Sequence, residues 1–153
     1  MSLALAVLGS LPAFAAKTIP YSVPLDWIRV ESQWKNVDTY QTSFDPSRQV
    51  FVMIRSIDTA SQTSETWVMD EVKYLERSEG IHIHGKPYEK DFGGVLWVTI
   101  DWDNSATSEI GRKYYLENAG ERGLVEVTVT SRHTEEDPAT VDAIAKFLAS
   151  FKV

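Results

Sequence analysis

The sequence predicts an α+β domain: a central, mainly antiparallel sheet of about six or seven strands with two main helices packed on it. Three observations predict it. Short apolar or alternating runs, separated by Gly-, Asn- or Asp-containing turns, crowd the region from Ile81 to Ser131 and read as consecutive hairpins. Two longer segments, Ser64 to Ser78 and Pro138 to Phe151, instead repeat apolar residues at helical spacing. The resulting order is several strands, a helix, a four-strand meander and a final helix. Such segregation of helices around an antiparallel sheet defines the class.

The elements follow from the N-terminal side. Lys17 to Pro24 is an extended lead-in, because Pro20 and Pro24 forbid helix there. Trp27 to Glu31 alternates and predicts a strand; Tyr40 to Phe44 predicts another, closed by the turn signal Asp45-Pro46-Ser47. Val50 to Ile54 is apolar on both faces, as a strand covered on both sides would be. After the polar link Asp58 to Thr63 comes a helix over Ser64 to Ser78. It carries Val68, Val72 and Leu75 on one face, broadened by Trp67 and ended by Gly80.

Four strands are then expected at Ile81–Lys90, Val95–Trp102, Glu109–Glu117 and Leu124–Ser131. In the last of them Val125, Val127 and Val129 face one way, and Glu126, Thr128 and Thr130 the other. The closing helix has Asp137 as N-cap and Pro138 at its first position. Its apolar stripe is Val141, Ile144, Ala145 and Leu148, finished by Phe151.

The front of the 153-residue chain is a different kind of segment. Leu3 to Ala15 is apolar, shorter than the roughly 20 residues a membrane span takes, and ends in the small-residue pattern Ala13-Phe14-Ala15. Residues 1–15 are therefore read as an export signal. The Lys or Arg that normally opens one is missing from Met1-Ser2, so its front is read as truncated. Residues 16–153 remain as one extracytoplasmic domain, periplasmic or secreted, with no span after processing.

Composition narrows the partners. The formal net charge of −7 disfavours nucleic acid and anionic lipid, both of which need clustered Lys and Arg. Cysteine is absent, which excludes a thiolate nucleophile and any Cys-based metal site. Five Trp, six Tyr and six Phe imply a well-filled core or an aromatic groove, for which Trp34, Tyr40 and Trp97 are candidates.

The segments Tyr21-Ser22-Val23-Pro24-Leu25-Asp26-Trp27, Phe44-Asp45-Pro46 before Val50–Ile54, Gly93-Gly94 before a strand, Tyr114-Tyr115, and Phe147 to Lys152 span nearly all of the mature chain. In these the sequence resembles the PsbP-like family. The resemblance implies an α-β-α sandwich, shared with Mog-type proteins, and a small noncatalytic domain that docks on a larger assembly. The expected partner is a protein, such as a membrane complex. These landmarks are structural, and no binding residue is carried over from them.

Local chemistry offers two rivals. His82 and His84, two apart on a strand, share a face and are candidate ligands for zinc or another divalent metal. A third His, His133, would join only if the fold brought it close. Otherwise no cofactor is expected. Asp101 and Asp103 likewise share a face, with Trp102 on the other, and are candidates for acid/base work in a small enzyme. No nucleophile elbow, phosphate loop or His-Glu-x-x-His helix occurs, so the expectation is a binding domain and not an enzyme.

Overall fold

The computed structural model describes residues 19–59, 62–117, 123–132 and 137–152. The expected export signal and His133 lie outside them. The elements in chain order are β1 (Ile28–Val30), β2 (Val37–Gln41), β3 (Val50–Ile57), α1 (Ser64–Arg77), β4 (Ile81–Ile83), β5 (Tyr88–Phe92), β6 (Val95–Asn104), β7 (Glu109–Glu117), β8 (Leu124–Ser131) and α2 (Pro138–Ala149). All eight strands join one sheet in the order β1-β2-β3-β8-β7-β6-β4, with β5 also on β6. Every pairing is antiparallel.

Two apolar cores lie on opposite faces of this sheet, which makes the fold a three-layer α-β-α sandwich. Under α2, Ile144, Phe147 and Leu148 pack with Val52, Ile54, Trp97, Tyr114, Val125 and Val127. Under α1, Trp67, Val68, Val72 and Leu75 pack with Ile57, Ile100, Trp102, Tyr115 and Leu124. Trp27 is buried in the α2 layer against Phe147, with ring centroids 5.2 Å apart. Trp97 is fully buried there too, and its indole N–H donates to the Leu148 carbonyl at 3.2 Å. That bond satisfies a polar group that would otherwise be costly in a dry core.

The cap expected at Asp137 is present, and α1, for which no cap was expected, is capped as well. Thr63 caps α1 through the Thr66 amide, and Asp137 caps α2 through the Thr140 amide. No described helix is long and apolar enough to cross a membrane.

Four local expectations are corrected. The second strand is Val37–Gln41, not Tyr40–Phe44. The amide of Thr42 makes a last bond to Val50, and Asp45 then turns the chain by accepting from the Ser47 amide. The expected strand Ile81–Lys90 is broken into β4 and β5. Gly85 at φ +73° and Pro87, which has no N–H to give a ladder, interrupt it, although both pieces line the same edge of β6. The eighth strand arises from this split, so the sheet is seven strand positions wide. The stripe of α2 is rotated: Phe147 is buried while Val141 is exposed. Finally, of the groove candidates Trp97 is core, and Tyr40 is half-buried beside Trp27.

Candidate functional site

Pleating decides which side chains meet at the β4–β5 edge. Residues opposite one another in an antiparallel ladder point to the same face. His82 pairs with Asp103, Tyr88 with Thr99, and Arg112 with Asp101. His84 continues the ladder by donating its amide to the Asp101 carbonyl at 2.9 Å. Alternation places Trp97 on the same face of β6 as Thr99, Asp101 and Asp103, so this is the α2 side of the sheet. There His82, His84, Tyr88, Asp101, Asp103 and Arg112 form a strip in which the His and Tyr rings are exposed and the Asp and Arg side chains are half-buried.

The charged groups of this strip are committed to one another. His84 Nε2 lies 2.5 Å from Asp103 Oδ2. The Tyr88 hydroxyl donates to Asp101 Oδ2 at 2.9 Å, and Arg112 Nε lies 3.2 Å from Asp101 Oδ1. Burial, then the hydrogen bond and charge of Asp101, push the Tyr88 phenol up to about 12. It therefore stays a donor at neutral pH. His82 and His84 share the expected face, and so do Asp101 and Asp103. Among the described residues no group of three or more His, Asp or Glu side chains is placed to hold a metal ion.

A second polar constellation lies on the opposite face, beneath α1. Lys113 is fully buried, with its Nζ 3.4 Å from Glu71 Oε1 of α1 and 3.4 Å from Glu126 Oε2 of β8. Arg55 of β3 sits directly across from Glu126 and binds Oε1 through Nε at 2.7 Å. Tyr115 donates its hydroxyl to Glu126 Oε2 at 2.7 Å. Two cations and two carboxylates are thus closed on one another in a water-poor layer.

Their proton affinities diverge. Burial alone would push Glu126 up, but Lys113 and Arg55 together reverse this and hold it at about 2. Burial pushes Glu71 up further than Lys113 brings it down. Tyr115 is pushed well up, by burial and then by Glu126 and Glu71. The network acts as a polar rivet between helix and sheet.

Glu126 lies, as expected, on the face opposite Val125, Val127 and Val129, in a site that no sequence motif announces. A usable signal existed. Val50–Ile54 is apolar on both faces, so its sheet is covered on both sides and a neighbouring strand must bury its polar face as well. Arg55, at the end of that run, then needs a buried acid.

No family model matches the chain, and no curated protein matches it. Solved structures do. PA94 of Pseudomonas aeruginosa, a protein of unknown function regarded as a candidate regulator, superposes with a TM-score of 0.59 at 12% identity. The match covers 83% of this chain and 96% of that one. LpqN of Mycobacterium tuberculosis, involved in cell envelope biogenesis, superposes with a TM-score of 0.58 at 14% identity. That match covers 85% of this chain and 79% of the other. At these identities the likeness is one of fold.

Proposed function

We propose that this chain is a noncatalytic, exported accessory domain of the PsbP-like kind that docks on a protein, at the outer face of a membrane complex. The observation that carries this reading is the state of the β4–β5 strip. Asp101 is held by Tyr88 and Arg112, and Asp103 by His84, with both carboxylates half-buried. A catalytic acid or base works best as a poised, poorly solvated group. Each of these carboxylates is already engaged by a partner side chain, which suits recognition through a rigid surface.

At the opposite, β1–β2 edge of the sheet two apolar side chains supply further anchors of the sort docking uses. Leu25 is fully exposed and Phe44 is 77% exposed. They stand just past Ile28 and Gln41, where the β1–β2 pairing ends, and so project from the same end of the sheet. The export reading rests on Leu3 to Ala15, and the envelope role of LpqN, a fold neighbour, is in keeping with it.

The test is a pull-down from extracytoplasmic and membrane fractions of the native cell, with the chain from Ala16 as bait. A partner retained by the natural sequence and lost with Leu25→Ser plus Phe44→Ser, or with Tyr88→Ala, supports docking. Equal retention by all baits, or an empty bait lane, refutes it.

A further inference from the structure

β5 is an outer strand of the sheet. It pairs with β6 alone, and among the described residues no backbone bond reaches its other side. Such a strand leaves alternate N–H and C=O groups pointing outward, where another strand can pair with them. Tyr88, Glu89, Lys90 and Asp91 are all exposed, and no proline interrupts Tyr88–Phe92.

The charges on this edge select what can pair. Glu89 lies opposite Val98 and Asp91 opposite Leu96, so both carboxylates stand on the α1 side. Asp91 also accepts from the Gly94 amide at 2.9 Å, which steadies it without neutralising it. Lys90 lies opposite Trp97, on the α2 side with Tyr88. A second β5 is a poor partner for this pattern. Residues opposite one another in an antiparallel pair share a face, so registers centred on Glu89, Lys90 or Asp91 all set like charges together. A strand that reads basic–acidic–basic answers all three charges. Its two cations face Glu89 and Asp91, its acid faces Lys90, and the symmetry of the pattern allows either strand direction.

We infer that β5 is a strand-addition site, taking from the partner protein an extended segment that carries a basic–acidic–basic triplet. The inference rests on the docking reading above and names what the β4–β5 side of that surface holds. Main-chain bonds to the edge supply affinity, and the triplet supplies the choice of segment. Tyr88 belongs both to this strand and to the strip, through its bond to Asp101, so the two surfaces are continuous.

The test is an NMR titration of the isotope-labelled chain from Ala16 with a short capped peptide whose centre reads Thr-Lys-Glu-Lys-Thr. Saturable amide shifts concentrated on Tyr88–Phe92 are expected, with slowed exchange at alternate amides of that strand. The charge-reversed peptide, Thr-Glu-Lys-Glu-Thr, should bind about fivefold more weakly or worse, because it sets three like-charge pairs against the edge. Two further peptides, N-methylated at alternate backbone nitrogens, read the mode. The set that points at β5 should abolish binding, and the other should be tolerated. Glu89→Lys should weaken the first peptide several-fold and keep the natural circular dichroism, since the side chain is exposed. No saturable shift, shifts centred away from β5, equal binding of the charge-reversed peptide, or both methylated peptides behaving alike overturns the assignment. The titration needs no native partner, so a failed pull-down refutes the docking reading and a failed titration refutes strand addition alone.

Discussion

Replacing Glu126 with Gln removes the charge on which the buried network converges. The side chain accepts from Arg55 at 2.7 Å and from Tyr115 at 2.7 Å, and lies 3.4 Å from Lys113. In the variant, Glu71 is left as the network's one carboxylate against two buried cations. Breaking a buried pair on one side costs about 3–5 kcal/mol. An independent route gives the same scale. The carboxyl is held at about 2 against an ordinary 4.5, and about 1.4 kcal/mol per pH unit makes this roughly 3 kcal/mol at neutral pH.

The sign follows from the depressed value. Glu126 stabilises the fold above pH 4.5, and that contribution is lost as pH falls from there towards 2. Urea unfolding of the natural chain and Glu126→Gln, between pH 7 and pH 2.5, reads both quantities. The expected gap is about 3 kcal/mol at pH 7 and shrinks steadily below pH 4.5. A variant within about 0.5 kcal/mol of the natural chain at pH 7, the range of an ordinary surface change, would refute the reasoning. So would a gap that stays constant down to pH 2.5.

Glu71→Gln should behave differently from Glu126→Gln. Burial raises its carboxyl, so the folded state prefers it protonated, and its contribution to stability falls as pH rises from 4.5. The variant should therefore cost clearly less at pH 7 than Glu126→Gln, by the same urea measurement. Gly111→Ala should be among the most damaging small changes. An added Cβ falls 2.0 Å from Trp102 Cζ2 and 2.2 Å from Cε2, and Trp102 is buried, so a loss of about 3 kcal/mol or failure to fold is expected. Asp137→Ala should lower stability by about 1 kcal/mol in thermal melts, because it removes the cap of α2. It also removes the ion pair to Arg48, whose exposure makes it a minor part of the loss. Leu25→Ser with Phe44→Ser should leave the melting temperature unchanged within a degree or two, since both side chains are exposed.

Much of this architecture is legible in the sequence, for reasons that differ by element. Glu109–Glu117 and Leu124–Ser131 are readable because a pleated strand must alternate, and the turn residues that bound them are strong. The helices are readable because apolar residues repeat at helical spacing, with Gly80 after the first and Asp137 as an efficient cap ahead of the second. Strand β2 was displaced because Val37 to Gln41 mixes polar and apolar side chains. Its ladder is fixed by β3 and not by its own propensity. The break at Gly85 hides inside a run that alternates well on either side.

At the candidate site, the shared faces of His82 with His84 and of Asp101 with Asp103 follow from period two alone. That these two pairs face each other does not, because it depends on β4–β6 register, a long-range property. The participation of Tyr88 and Arg112 is hidden for the same reason. The buried rivet is the hardest part: Glu71, Lys113, Arg55 and Glu126 look individually like ordinary solvated charges, and only the two-sided cover of the sheet brings them inside.

The most direct measurement of the docking claim is photo-crosslinking in the native cell envelope. A photoreactive residue is placed in turn at Phe44, at Tyr88 and, as a control, at Met69 on the exposed side of α1. The account predicts one and the same partner crosslinked from position 44 or 88 and not from 69. Crosslinks that are equal at all three positions, or absent from both 44 and 88, would contradict it.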